Sequence, residues 1–102
     1  MILDDLTRVI LERKRFPSPE SYVSSLFSKG REEMLKKIGE ESVEVIVASL
    51  AGDKGQIVHE MADLWFHCLV LLSEEGLNHE DVLKELRNRL GKRRHRSSSC
   101  RA

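Results

Sequence analysis

Glu41-Ser42-Val43-Glu44 and Glu60-Met61-Ala62-Asp63, separated by fifteen residues, decide how this sequence is read. Each is an acid-x-x-acid unit inside a segment of helical apolar period. Around the first, Met34, Ile38, Val45 and Ala48 share a stripe that Glu41 interrupts and that Leu35, Ile46 and Leu50 widen. The period predicts a helix over about residues 31–51. Gly52 closes it, Asp53-Lys54-Gly55 make a tight connection, and a second helix follows over about 56–75, ending at Gly76. The β-branched residues between 43 and 47 do not make a strand, because the stripe around them keeps a helical period.

A short connection makes these two helices an antiparallel hairpin. The Glu41/Glu44 pair is centred about 11 residues before the bend and the Glu60/Asp63 pair about 8 after it. At ~1.5 Å per residue their depths differ by about 4–5 Å. Packed helix axes lie ~8–10 Å apart, so four carboxylates can converge on one point between the helices. Like charges at this spacing oppose helix formation, by ~0.2–0.5 kcal/mol per pair. A hard divalent cation with oxygen ligands would relieve them, and Mg2+ suits carboxylates, water and phosphate oxygens together. The alternative for either pair alone is an ordinary solvated helix face.

The same reading extends outward to about five helices. The first spans about 2–15, with Leu3, Leu6, Val9 or Ile10, and Arg13 on its face, and Pro17 and Pro19 stop it. Ser18 reads as the N-cap of a short helix starting at Pro19, with Tyr22, Val23, Leu26 and Phe27 on one side and Gly30 at its end. Asn78 reads as the N-cap of the last helix, with Asp81 in a box-like position, Val82, Leu83, Leu86 and Leu90 as its stripe, and Gly91 as its end. Leu64, Trp65, Leu69, Leu71 and Leu72 read as a buried or subunit-facing surface, with Trp65 taken as core. That excess of apolar surface predicts a homodimer whose helix pairs form a bundle.

With 102 residues the chain has room for one domain, assigned to 1–91. Charged residues make up 33% and aromatics 5%, which suits helices rather than strands. The formal charge is zero, yet residues 92–102 hold five of the 17 basic residues and no acid. Residues 1–91 therefore carry 12 bases against 17 acids, a net −5. The basic end, with Ser97, Ser98 and Ser99, is expected to be a disordered tail rather than a nucleic-acid arm. Cys68 reads as a small buried hydrophobe, and two cysteines make no disulfide framework, so a reducing, cytoplasmic setting is expected. Asp4 and Asp5 stand where a signal peptide needs apolar residues. The apolar run 64–72, interrupted by His67, is far short of the ~20 residues a membrane span needs. His59, His67, His79 and His95 have no partners at zinc-finger spacing.

The two acidic pairs together resemble the signature of the all-α nucleoside-triphosphate pyrophosphohydrolases of the MazG type. Ser21-Tyr22-Val23-Ser24-Ser25-Leu26-Phe27, Lys29-Gly30, Lys37-Ile38-Gly39-Glu40-Glu41-Ser42-Val43-Glu44 and Glu60-Met61-Ala62-Asp63-Leu64-Trp65-Phe66-His67 narrow the resemblance to the phosphoribosyl-ATP pyrophosphohydrolase family. It covers about residues 3–89. Ser42 departs from the usual Ala and Phe66 from the usual Tyr, and neither change touches the four acids.

The resemblance implies Mg2+-dependent hydrolysis of phosphoribosyl-ATP to phosphoribosyl-AMP and pyrophosphate, the second step of histidine biosynthesis, by a homodimer. The expected metal ligands are Glu41, Glu44, Glu60 and Asp63, with Glu40 or Glu44 as the base that takes the water's proton. Lys37 lies one turn before Glu41, and Lys29 and Arg31 flank the start of the long helix; all three are candidates for phosphate. His67, one turn after Asp63, and Tyr22 are candidates for orienting a ligand or reaching substrate. Two other functions compete. One is a house-cleaning hydrolase of non-standard nucleoside triphosphates. The other is a non-catalytic helical interaction module whose acids are a solvated face.

Overall fold

A computed structural model describes residues 1–91, so the expectations for residues 92–102 lie outside the described residues. Five helices follow one another: α1 (Ile2–Arg15), α2 (Tyr22–Lys29), α3 (Arg31–Ala51), α4 (Lys54–Glu74) and α5 (His79–Gly91). No strand occurs among the described residues. None of these helices is long and apolar enough to cross a membrane.

The α3–α4 hairpin is the backbone of the molecule, and its bend is made by two local devices. Gly52 takes a left-handed conformation (φ 75°, ψ 17°) and donates its N–H to the carbonyls of Ala48 and Ser49. Only glycine adopts that conformation without a steric penalty. Asp53 then caps α4 by accepting the Gln56 N–H at 3.1 Å, an interaction worth about 1 kcal/mol. At the far end Gly76 (φ 76°) closes α4, with Leu77 N–H on the Leu72 carbonyl at 2.8 Å and Gly76 N–H on Ser73 at 3.2 Å. These are the paired bonds of a Schellman end.

The core sits at that far end. Ile10 of α1, Val23 and Leu26 of α2, Met34 of α3, and Leu69 and Val70 of α4 are buried together, with Leu3, Leu6, Phe27, Phe66, Leu71 and Leu72 packed against them. Lys14 donates to the Ser73 carbonyl at 3.0 Å and lies over the Phe27 ring, joining α1 to the carbonyl end of α4. α5 meets the rest through its first turn. Asn78 accepts the Glu80 N–H while Asp81 accepts the Asn78 N–H, the reciprocal box expected there.

Four expectations are corrected. The short helix begins at Tyr22, capped by Ser21, whose hydroxyl accepts the Ser24 N–H at 3.1 Å. Ser18 and Pro19 instead belong to a turn closed by Ser21 N–H on the Ser18 carbonyl, and proline readily takes the second place of such a turn. Trp65 is not core but 60% exposed in the chain alone. Leu35, Ile46 and Leu50 do not widen the packed stripe of α3; all three are exposed, Leu50 at 84%. The hairpin buries one narrow seam, while Val43, Ile46, Val47, Leu50 and Val58 toward its bend are exposed, Val43 and Val47 lining a groove beside Glu44. Cys68 is only partly buried, although burial still pushes its thiol pKa upward.

Candidate active site

The inner seam of the hairpin changes character along its length. On α3 it runs through Met34, Ile38, Glu41, Val45 and Ala48; on α4 through Gln56, Glu60, Asp63, His67 and Val70. Steps of three and four keep these residues on one face. Near the core the seam is apolar, and midway along it becomes acidic.

Glu41, Glu60 and Asp63 each bring a carboxylate oxygen within 4.8 Å of the other two. Glu60 is buried. Oε1 of Glu41 is buried with no hydrogen-bond partner. Burial, then the Asp63 charge, then Glu60 push the Glu41 carboxyl above the usual glutamate range, with His67 opposing. A buried carboxylate oxygen facing two further acids is unfavourable by itself, because desolvation and like-charge repulsion act together. An oxygen-only donor set of this kind fits a hard cation such as Mg2+, which would satisfy the orphaned oxygen and neutralise the cluster.

Glu44 stands outside this triad. It is exposed and lines, with Glu60, Gln56, Asp53 and Val47, a groove of about 350 Å³ beside the seam. A step of three residues turns a side chain back by about 60° around the helix, which aims Glu44 at the groove when Glu41 faces the seam. Glu40 is exposed and lies 3.7 Å from the Lys37 ammonium.

The basic candidates divide. Lys37 is half-buried beside the acids. Arg31 pairs with Glu75 at 2.6 Å and lies about 15 Å along α3 from Glu41, so its helix end faces away from the acids. Lys29 is exposed at the end of α2.

His67 and Tyr22 do meet at the site. His67 is buried; its Nδ1 is 2.8 Å from the Asp63 carbonyl and its Nε2 is 2.8 Å from the Tyr22 hydroxyl. The rings meet edge to face. Two residues not foreseen as site members also touch the acids. Gln56 donates to Glu60, and His59 lies 3.5 Å from Asp63. Both are four residues before their partner, so the helical spacing was a usable signal.

A described fold of helices alone, with three carboxylates clustered in the seam of a helix hairpin and one of them, Glu60, bordering a groove, fits the class of all-α nucleotide pyrophosphohydrolases. The comparisons with known proteins are more specific. Residues 3–90 match the family model of phosphoribosyl-ATP pyrophosphohydrolase. A Methylococcus capsulatus protein named phosphoribosyl-ATP pyrophosphatase is 49% identical over 90 residues, covering 88% of this chain and 86% of its own. Proteins of the same name from Bacillus cereus and Bacillus mycoides are 52% identical over 87 residues and 53% over 91, covering 85% and 89% of this chain and 81% and 85% of theirs. The chain belongs to the phosphoribosyl-ATP pyrophosphohydrolase family.

Proposed function

We propose that this chain hydrolyses phosphoribosyl-ATP to phosphoribosyl-AMP and pyrophosphate at the Glu41/Glu60/Asp63 centre, as the second step of histidine biosynthesis. The observation that carries this, beyond family membership, is the buried, unpartnered Glu41 oxygen facing two more carboxylates. A merely solvated acidic face would leave no such oxygen.

Glu41, Glu60 and Asp63 would hold Mg2+, with Glu44 reaching in from the groove. Bound there, the ion supplies charge neutralisation for a departing pyrophosphate and acidifies a water. Gln56 fixes Glu60 by donating to it, and His67 holds the α4 backbone at Asp63. Glu44 is the better-placed carboxylate to take the proton of the attacking water, since Glu40 is engaged with Lys37. Lys37 accompanies phosphate oxygens. Arg31 gains no support from its pairing with Glu75. The bond broken is the anhydride joining the α and β phosphates.

The folded unit is residues 1–91, working as a cytoplasmic homodimer. The support for a second copy is the exposure of the large apolar side chains Val43, Ile46, Val47, Leu50, Val58 and Trp65, which a partner would cover.

Incubation of the purified protein with phosphoribosyl-ATP and with a panel of deoxynucleoside triphosphates, with and without Mg2+, tests the proposal. Pyrophosphate is expected from phosphoribosyl-ATP only when Mg2+ is present. Release from the deoxynucleotides alone would overturn it in favour of a house-cleaning hydrolase.

A further inference from the structure

Gln56 does more than its place on α4 requires. Asp53 caps the helix by accepting the Gln56 backbone N–H at 3.1 Å, so Gln56 stands three residues past the cap. A glutamine there commonly turns back to the backbone N–H of the capping residue. The Gln56 amide instead runs forward one turn and donates its Nε2–H to Oε2 of Glu60 at 2.5 Å. As an ordinary helix pair such a bond adds little stability. Its partner, however, is the buried member of the acidic triad. Gln56 itself is exposed and borders the same groove as Glu60.

A carboxylate has two oxygens and can hold a cation with one or with both. The amide engages one of the two at Glu60 and sets the rotation of the group. Hard cations differ in what they accept. Ca2+ takes about six to eight oxygens in loose geometry and uses both oxygens of a carboxylate readily, whereas Mg2+ demands a tight octahedron, keeps several waters and takes carboxylates sparingly. A Glu60 with one oxygen held by the chain suits the smaller ion and withholds an oxygen from the larger. Because the amide is neutral, it does this without cancelling the charge that draws the ion. We propose that Gln56 is the positioning residue that makes the Glu41/Glu60/Asp63 centre prefer Mg2+ over Ca2+, by leaving Glu60 one oxygen for the cation. The inference rests on the metal centre proposed above.

The test is thermal melting without substrate, in separate titrations of magnesium chloride and calcium chloride. The proteins are the wild type, Gln56→Leu, which keeps bulk and loses the amide, Gln56→Arg, which restores an N–H donor with a charge, and Glu41→Gln as the control for the centre itself. The wild type should reach its stabilisation midpoint at lower Mg2+ than Ca2+. Gln56→Leu should weaken Mg2+ roughly tenfold, the low end for loss of an outer partner of a metal ligand, and leave the Ca2+ midpoint unchanged or lower. Gln56→Arg should weaken both ions through its charge and keep their ratio near that of the wild type.

A wild type that responds to Ca2+ at the lower concentration overturns the proposal. So does a Gln56→Leu protein whose two midpoints keep their ratio, even if both are weaker or the metal-free melting temperature falls, since that is what a merely structural glutamine would do. Loss of the preference in Gln56→Arg as well would show that the donor is not what sets it. If neither ion stabilises the wild type, or Glu41→Gln keeps the full response, the metal centre on which this rests fails instead, a result distinguishable from the others.

Discussion

Two clusters in this chain look alike as lists of residues. Glu41, Glu60 and Asp63 gather between α3 and α4; Asp4, His79 and Glu80 gather between α1 and α5; and both place three possible ligand atoms within 4.8 Å of one another. They differ in what is already satisfied. At the second cluster, buried His79 donates Nε2–H to Asp4 at 2.6 Å and its Nδ1 meets the Thr7 hydroxyl at 2.9 Å. Its hydrogen bonding is complete, and the His79 bond holds the Asp4 carboxyl below the usual aspartate range. At the first cluster, burial and like charge push Glu41 the other way and leave an oxygen without a partner. The α1–α5 cluster is a clasp that the fold completes internally. The α3–α4 cluster is left by the fold with a buried carboxylate oxygen unpaired. Unsatisfied charge, rather than the presence of acids, separates the proposed reactive site from the structural one.

The contrast breaks most visibly in activity. Glu41→Gln or Glu60→Gln should lower kcat/KM for phosphoribosyl-ATP by more than about a hundredfold, the upper end for residues that only support a metal ligand. Asp4→Asn should stay within about threefold by the same assay, since no phosphate chemistry passes through the clasp. Equal losses at both clusters would erase the distinction.

Mg2+ should sharpen it next. At a concentration of ~100 Kd a ligand bound only to the folded state adds about 2.7 kcal/mol of stability. Thermal melting of the wild type and of Asp4→Asn should show this gain, and Glu41→Gln should not.

The third effect reverses the ranking. His79→Ala strands the Thr7 hydroxyl in a buried place and should lose about 1–3 kcal/mol in denaturant unfolding. The Mg2+ response of whatever protein remains folded should be intact.

The smallest effect is in acid, and its sign differs between the clusters. A raised carboxyl pKa means the folded state binds the proton more tightly. Glu41 therefore destabilises the metal-free fold increasingly as pH rises from the ordinary value of ~4.3 through its raised value. Glu41→Gln should remove that trend and melt higher than the wild type without metal. A lowered pKa works oppositely. Asp4 contributes stability above the ordinary ~3.9, which is lost as pH falls through its depressed value. Asp4→Asn should melt lower than the wild type at neutral pH, with the gap closing in strong acid.

The hairpin was legible because its signals are local. Apolar steps of three and four, Gly52 at the bend and Gly76 at the end are written within a few residues of where they act. The convergence of Glu41 with Glu60 and Asp63 followed from the same spacing, counted outward from the bend. Glu44, expected to join them, lines the groove that Glu60 also borders, turned about 60° round the helix from Glu41 on the side away from Ile38 and Val45. Trp65 read as core by hydrophobicity alone. It lies off the Glu60–Asp63–His67–Val70 face that meets α3, and within one chain it stays 60% exposed.

By itself, then, the sequence determined the helices, the hairpin, the acidic centre and the family. Each depends on periodicity or on motifs compact enough to be read along the chain. Only the tertiary structure decided which acids are buried and which atom is left unpaired. It also brought Tyr22 to His67 across 45 residues and Thr7 to His79 across 72. Desolvation and hydrogen-bond satisfaction depend on what the rest of the fold places around a group, and no spacing along the chain encodes that.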